Sequence, residues 1–152
     1  MEYTLIKTNN VNELISKINN AKDLVIVEGG SDTINRLALE NKKVNVLLSP
    51  EKGREKDFIH YRNSGLNQVL CNLAHKNDIA IGFDFNNALN AQNKDEVLGR
   101  MMQNIRLCRK YKARMLILDL TDERSKEELK SFGIALGMTP GEVKKAVNFK
   151  KI

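Results

Sequence analysis

The chain has 152 residues, 41% hydrophobic and 29% charged, with a formal net charge of +6. That is enough for a single domain over residues 1–152 with one sizeable core. No run approaches the roughly eighteen apolar residues of a membrane span, and MEYTLIKTNN has no basic segment followed by an apolar one. No membrane association and a cytoplasmic location are therefore expected.

Apolar β-rich runs alternate with helical patterns along the chain. Tyr3–Ile6 is the first strand, and a helix follows on the stripe Val11, Leu14, Ile15 and Ile18, with Asn10 and Glu13 at cap spacing. Leu24–Val27 is the second strand. Gly29-Gly30-Ser31 then leads into a helix marked by Ile34, Leu37 and Ala38. Val44–Leu48 is the third strand, and Ser49–Asn63 is a long irregular stretch, dense in charge. Loops of that length are often functional. A helix on Leu66, Val69, Leu70, Leu73 and Ala74 precedes the fourth strand, Ile79–Phe83. A long helix on Leu98, Met101, Met102, Ile105 and Cys108, begun near Asn93 and Glu96, precedes the fifth, Met115–Leu118. Ser125 with Glu128, and Thr139-Pro140-Gly141-Glu142, start two further helices.

Strands that are short, nearly continuous in apolar residues and separated by helices indicate right-handed βαβ units in a parallel sheet. The expected fold is α/β, a TIM-barrel-like parallel sheet with flanking helices, about five strands and six helices. Five strands fall short of an eight-stranded barrel, so the barrel is expected to be truncated or incomplete. Cys71 and Cys108 occupy apolar positions of two helices and read as buried free thiols, with one disulfide as the arithmetical alternative. The absence of CxxC or of a Cys/His cluster argues against structural zinc.

From Ser49 to Leu89 the chain reads SPEKGREKDFIHYRNSGLNQVLCNLAHKNDIAIGFDFNNAL. A strand ending in Ser49-Pro50, a basic loop, Arg62-Asn63-Ser64-Gly65-Leu66-Asn67 and a strand ending in Gly82-Phe83 resemble the signature of ribonuclease P protein component 3. That family is the archaeal counterpart of the eukaryotic thirty-kilodalton subunit. Met101-Met102, Tyr111-Lys112 and Ser131-Phe132-Gly133 extend the likeness. The chain departs from the family in having Asp84-Phe85-Asn86-Asn87 where an aliphatic residue and proline are usual, and about two N-terminal elements usual in the family are expected to be missing. The resemblance implies a role in removing the 5′ leader of precursor tRNA. The catalytic ribonuclease P RNA performs the hydrolysis with Mg2+, and the protein, which binds no cofactor itself, positions the RNA. It does so with a small RRM-like subunit in a heterotetramer.

A basic chain suits a polyanionic partner, because phosphate contacts gain affinity by counterion release. Arg62 is the first candidate, since a guanidinium beside a helix start can grip phosphate bidentately. Asn63 and Ser64 either cap that helix or donate to phosphate. Lys52, Arg54 and Lys56 can reach phosphate from the loop, or be solvated beside Glu51, Glu55 and Asp57. Arg36 matches a basic family position but also stands four residues before Glu40. Lys76 lies in a stretch that matches the family. Arg106 and Lys110, one helical turn apart, can form a ridge in the carboxylate-free stretch Val97–Leu118, and Lys144, Lys145, Lys150 and Lys151 form a basic tail. The Gly29-Gly30 junction is either a phosphate cradle or a tight turn. Aromatic residues are only 5%, which speaks against base stacking as the main mode of binding.

Two other functions are open. Glu28, Asp84 and Asp119 stand at strand ends, the edge where TIM-like folds carry catalysis, and could serve a metal-dependent phosphoesterase. The two histidines, His60 and His75, form no HxH, and no catalytic residue is assigned. A protein-interaction scaffold is the third.

Overall fold

The computed structural model describes residues 2–148. Five strands, β1 (Tyr3–Ile6), β2 (Leu24–Glu28), β3 (Val46–Leu48), β4 (Ala80–Asp84) and β5 (Met115–Leu118), alternate with helices. These are α1 (Val11–Asn20), α2 (Asp32–Glu40), α3 (Gln68–Lys76), α4 (Phe85–Asn90), α5 (Lys94–Tyr111), α6 (Lys126–Ala135) and α7 (Pro140–Ala146). The sheet is parallel throughout, in the order β1-β2-β3-β4-β5. Sequential order with every crossover of the same hand sends all the helices to one face, as in a TIM barrel. Among the described residues β1 and β5 remain edges, so the sheet is open, as its five strands implied.

The side chains divide accordingly. Val25, Val27, Leu47, Ile81, Phe83 and Ile117 point outward into a core shared with the helices. Ile26, Val46, Leu48, Ala80, Leu116 and Leu118 point the other way and bury one another, flanked by Tyr3, Leu5, Leu24 and Leu120. Among the described residues this second cluster has no helical member, and the side chains of neighbouring strands pack against one another there. Gly82 marks the limit of that packing, since a Cβ there would sit 3.0 Å from Leu48 and Val46.

Of the expected helix starts, Asn10, Ser125 and Thr139 each accept the backbone N–H three residues on, as does Ser31, and Thr139 with Glu142 completes a capping box, whereas Asn93 makes no side-chain cap bond to α5. Among the described residues seven helices form where six were expected. The extra one, α4, arises where the chain departs from the family pattern: the Asp84 carboxylate accepts the Asn86 N–H at 3.0 Å and starts a helix. Six residues are too few for an apolar period to show. Phe85 packs edge-on against Phe132, with centroids 4.9 Å apart. A second difference is the start of α3. It begins at Gln68 under an Asn67 cap, two residues after Leu66. Cys71 and Cys108 are free and buried, with their thiols adjacent between α3 and α5. The thiol contact pushes Cys108 well above the ordinary thiol range, and burial adds to the effect.

Candidate nucleic-acid interface

The segment between β3 and α3 is irregular in backbone but tied down at nearly every step. Its two ends meet through Asn35, a buried residue of α2. The Asn35 amide donates to the Pro50 carbonyl (3.1 Å) and to the Gly65 carbonyl (3.2 Å), and its oxygen accepts the Gly30 N–H (2.9 Å). Gly65 lies at φ +83°, and a side chain there would collide with the Pro50 carbonyl. Glycine is thus required at this crossing by both conformation and space.

One face of α5 holds the middle of the loop. Arg100, Gln103 and Asn104 fall at i, i+3 and i+4, so they project together. Arg100 is the largest fully buried side chain among the described residues. Its guanidinium donates to Asp57 (3.0 Å), the Glu55 carbonyl (2.6 Å) and the Arg54 carbonyl (3.4 Å). Gln103 accepts the Arg62 N–H and donates to its carbonyl, at 2.8 and 2.9 Å. Asn104 donates to the Ser64 carbonyl at 2.9 Å. Asp57 is the hub: besides Arg100 it takes the Asn63 N–H (2.8 Å) and the Arg62 guanidinium (2.9 Å). Burial alone would raise its pKa, but these donors outweigh burial and hold the carboxyl below its usual range.

The expected contact residues fall into two groups. Arg54 is mostly withdrawn, its side chain only 11% exposed, and it bonds the Asn63 side-chain oxygen (2.7 Å), the Gly30 carbonyl (2.8 Å) and Asp32 (2.7 Å). Asn63 is buried against Arg54 and the loop backbone. Asn63 and Ser64 do not cap α3, because Asn67 does. Arg62 correspondingly lies six residues ahead of the helix and not at its start. Its guanidinium lies over Gly99 of α5, where a side chain would strike it. One amino group serves Asp57, and the side chain remains 43% exposed. Lys52 is exposed and bonds Glu28 at 2.8 Å. Arg36 pairs with Glu40 at 2.8 Å, as its spacing allowed. Lys76, Arg106 and Lys110 are exposed, and none forms an ion pair among the described residues. Lys110 rests over its neighbour Tyr111.

Gln103, Arg106 and Lys110 succeed one another by helical turns. The loop and α5 thus present Arg62, Arg106 and Lys110 along one flank. Lys144 and Lys145 are exposed on α7, whereas Lys150 and Lys151 lie outside the described residues. At the Gly29-Gly30 junction the Gly30 amide is already taken by Asn35, which makes it a tight turn and not a phosphate cradle.

The strand-end carboxylates do not converge on a metal site. Among the described residues no group of three or more His, Cys, Asp or Glu could hold an ion. Glu28 pairs with Lys52 and Lys7, and Asp84 caps α4. Burial would raise Asp119, but the Thr121 hydroxyl, the Asn86 amide and the N–H groups of Thr121 and Arg124 all donate to it and hold it at about 2. His60 is exposed in the loop, and the His75 ring contacts the Lys112 carbonyl at 2.9 Å. Glu51 is different. It is fully buried at the same sheet edge, next to Asp84, with one carboxylate oxygen lacking a partner, and burial raises its pKa to about 7.

Fold and site define a parallel α/β protein with an open sheet among the described residues and a basic loop braced on one long helix. The chain belongs to the RNase P subunit p30 family, whose model matches residues 5–151. It is 32% identical over 144 residues to ribonuclease P protein component 3 of Methanosarcina acetivorans, covering 91% of this chain and 57% of that protein. It is also 32% identical over 139 residues to the Thermococcus kodakarensis protein of the same name, covering 88% and 60%. A chain in the cryo-EM structure of archaeal ribonuclease P with mature tRNA superposes with a TM-score of 0.76 at 27% identity, over 95% of this chain and 63% of that one. The chain thus spans about three-fifths of the length of these relatives.

Proposed function

We propose that the chain acts as a protein subunit of ribonuclease P. In this reading it grips the phosphates of the catalytic RNA and helps to present precursor tRNA for removal of the 5′ leader. The RNA with its Mg2+ performs the hydrolysis, and a small RRM-like subunit joins the protein in a heterotetramer in the cytoplasm. Family membership over nearly the whole chain carries the proposal. The physical chemistry supports it: a braced loop loses little entropy on binding, and Arg62, Arg106 and Lys110 give phosphate a cationic flank.

The test is reconstitution. Added to a ribonuclease P RNA and its other proteins, the chain is expected to stimulate pre-tRNA cleavage, and no stimulation refutes the proposal. In a binding series against salt, Arg106→Glu with Lys110→Glu is expected to weaken RNA binding and to lower the log–log slope by about 2. An unchanged slope removes these two residues from the interface.

A further inference from the structure

The tip of the basic loop carries an apolar cluster that backbone phosphate binding does not use. Ile59 is 95% exposed and Tyr61 61%, and Phe58 is half exposed beside them. The rings of Phe58 and Tyr61 lie 4.6 Å apart at 37°, each shielding one face of the other and leaving the outer faces open. Contiguous exposed apolar surface marks a place of contact. The tip is also held ready: Asp57 on one side and Arg62 on the other are both fastened to α5 through Arg100 and Gln103.

From this juxtaposition we infer that the Phe58–Tyr61 tip is a stacking platform for an unpaired RNA base, with Lys56 and Arg62 taking the phosphates on either side. The inference rests on the RNA-binding reading above and adds the class of RNA to it. Charge chooses the occupant. The Asp57 carboxylate is neutralised by Arg62 and Arg100, which leaves Glu55 as the sole carboxylate of residues 54–62 without a cation among the described residues. Beyond Arg62 the surface runs on to Arg106, in the carboxylate-free stretch of residues 97–118. An open aromatic face set among cations matches a base and its phosphates, since any base can stack and the backbone supplies the charge.

The test compares two RNAs with equal numbers of phosphates, a hairpin with an unpaired loop and a blunt duplex, by fluorescence anisotropy. The wild-type chain is expected to prefer the hairpin. Phe58→Ala with Tyr61→Ala is expected to lose about tenfold on the hairpin and nothing on the duplex, whereas Tyr61→Phe keeps the preference. Matching melting curves for all three proteins exclude misfolding. Equal wild-type affinity for both RNAs overturns the inference while leaving the RNA-binding reading standing. So does a double variant that keeps its preference, or one that loses only assembly with protein subunits. If the wild-type chain binds neither RNA, both readings fall.

Discussion

Glu51→Gln is expected to change the stability of this protein with a sign that depends on pH. Glu51 is fully buried, its neighbours are Asp84 and the Asn87 amide, and one of its oxygens has no partner. Burial raises its pKa from the ordinary 4.5 to about 7. Between those values the native chain holds a proton that the unfolded chain has released, so native stability falls as pH rises through the window. A rise of that size corresponds to a loss of about 3 kcal/mol by pH 8. The neutral amide of the variant would mimic the protonated acid at every pH. Urea denaturation followed by circular dichroism is therefore expected to show wild type and variant alike at about pH 4, below the unfolded pKa. At about pH 8 the variant is expected to be more stable by on the order of 3 kcal/mol. Asp84, raised by burial at the same edge, adds to the wild-type loss in the same direction. A variant no more stable than wild type at the higher pH refutes the reasoning, because it would mean that the buried carboxyl ionises at no cost.

Arg100→Ala removes the donor to Asp57 and to two loop carbonyls, and is expected to cost about 3–5 kcal/mol, read as a shift in the urea midpoint. A loss below about 1 kcal/mol would show that the loop does not depend on this anchor. Gly65→Ala is expected to cost more than about 1 kcal/mol from the positive φ alone, with the collision at Pro50 adding to it. A neutral result there would show that the two ends of the loop can separate freely. Acid should act through Asp57. Its folded pKa lies below the unfolded value, so the stability it supplies is present above the unfolded pKa and lost as pH falls through the folded one. Asp57→Asn is expected to flatten the acid limb of a stability–pH curve, and an unaltered limb would rule Asp57 out as its source.

Much of the fold is legible in the residues in order. Each strand appears as a short apolar run, and the helix starts at Asn10, Ser31, Ser125 and Thr139 follow from local hydrogen bonding that needs no distant partner. The order of the elements is enough to give a parallel sheet. The Ser49–Leu89 pattern pointed to the family that the comparison over residues 5–151 then showed. The short helix α4 was not legible, because one turn and a half has no readable period and its start rests on a single Asp84 contact.

What tertiary structure alone decided is the fate of each charge. By sequence Arg54, Arg62 and Arg100 are similar cations. Folding commits Arg54 to the Gly30 carbonyl and Asp32, buries Arg100 beneath the loop and leaves Arg62 half exposed. The pairing of Asp57 with Arg100 spans forty-three positions, and that of Asn35 with Gly65 thirty. No local pattern encodes such contacts, since they arise when helices α2 and α5 close on the loop. The cost of burying an unpaired charge then selects which side chains turn inward and which remain to meet phosphate.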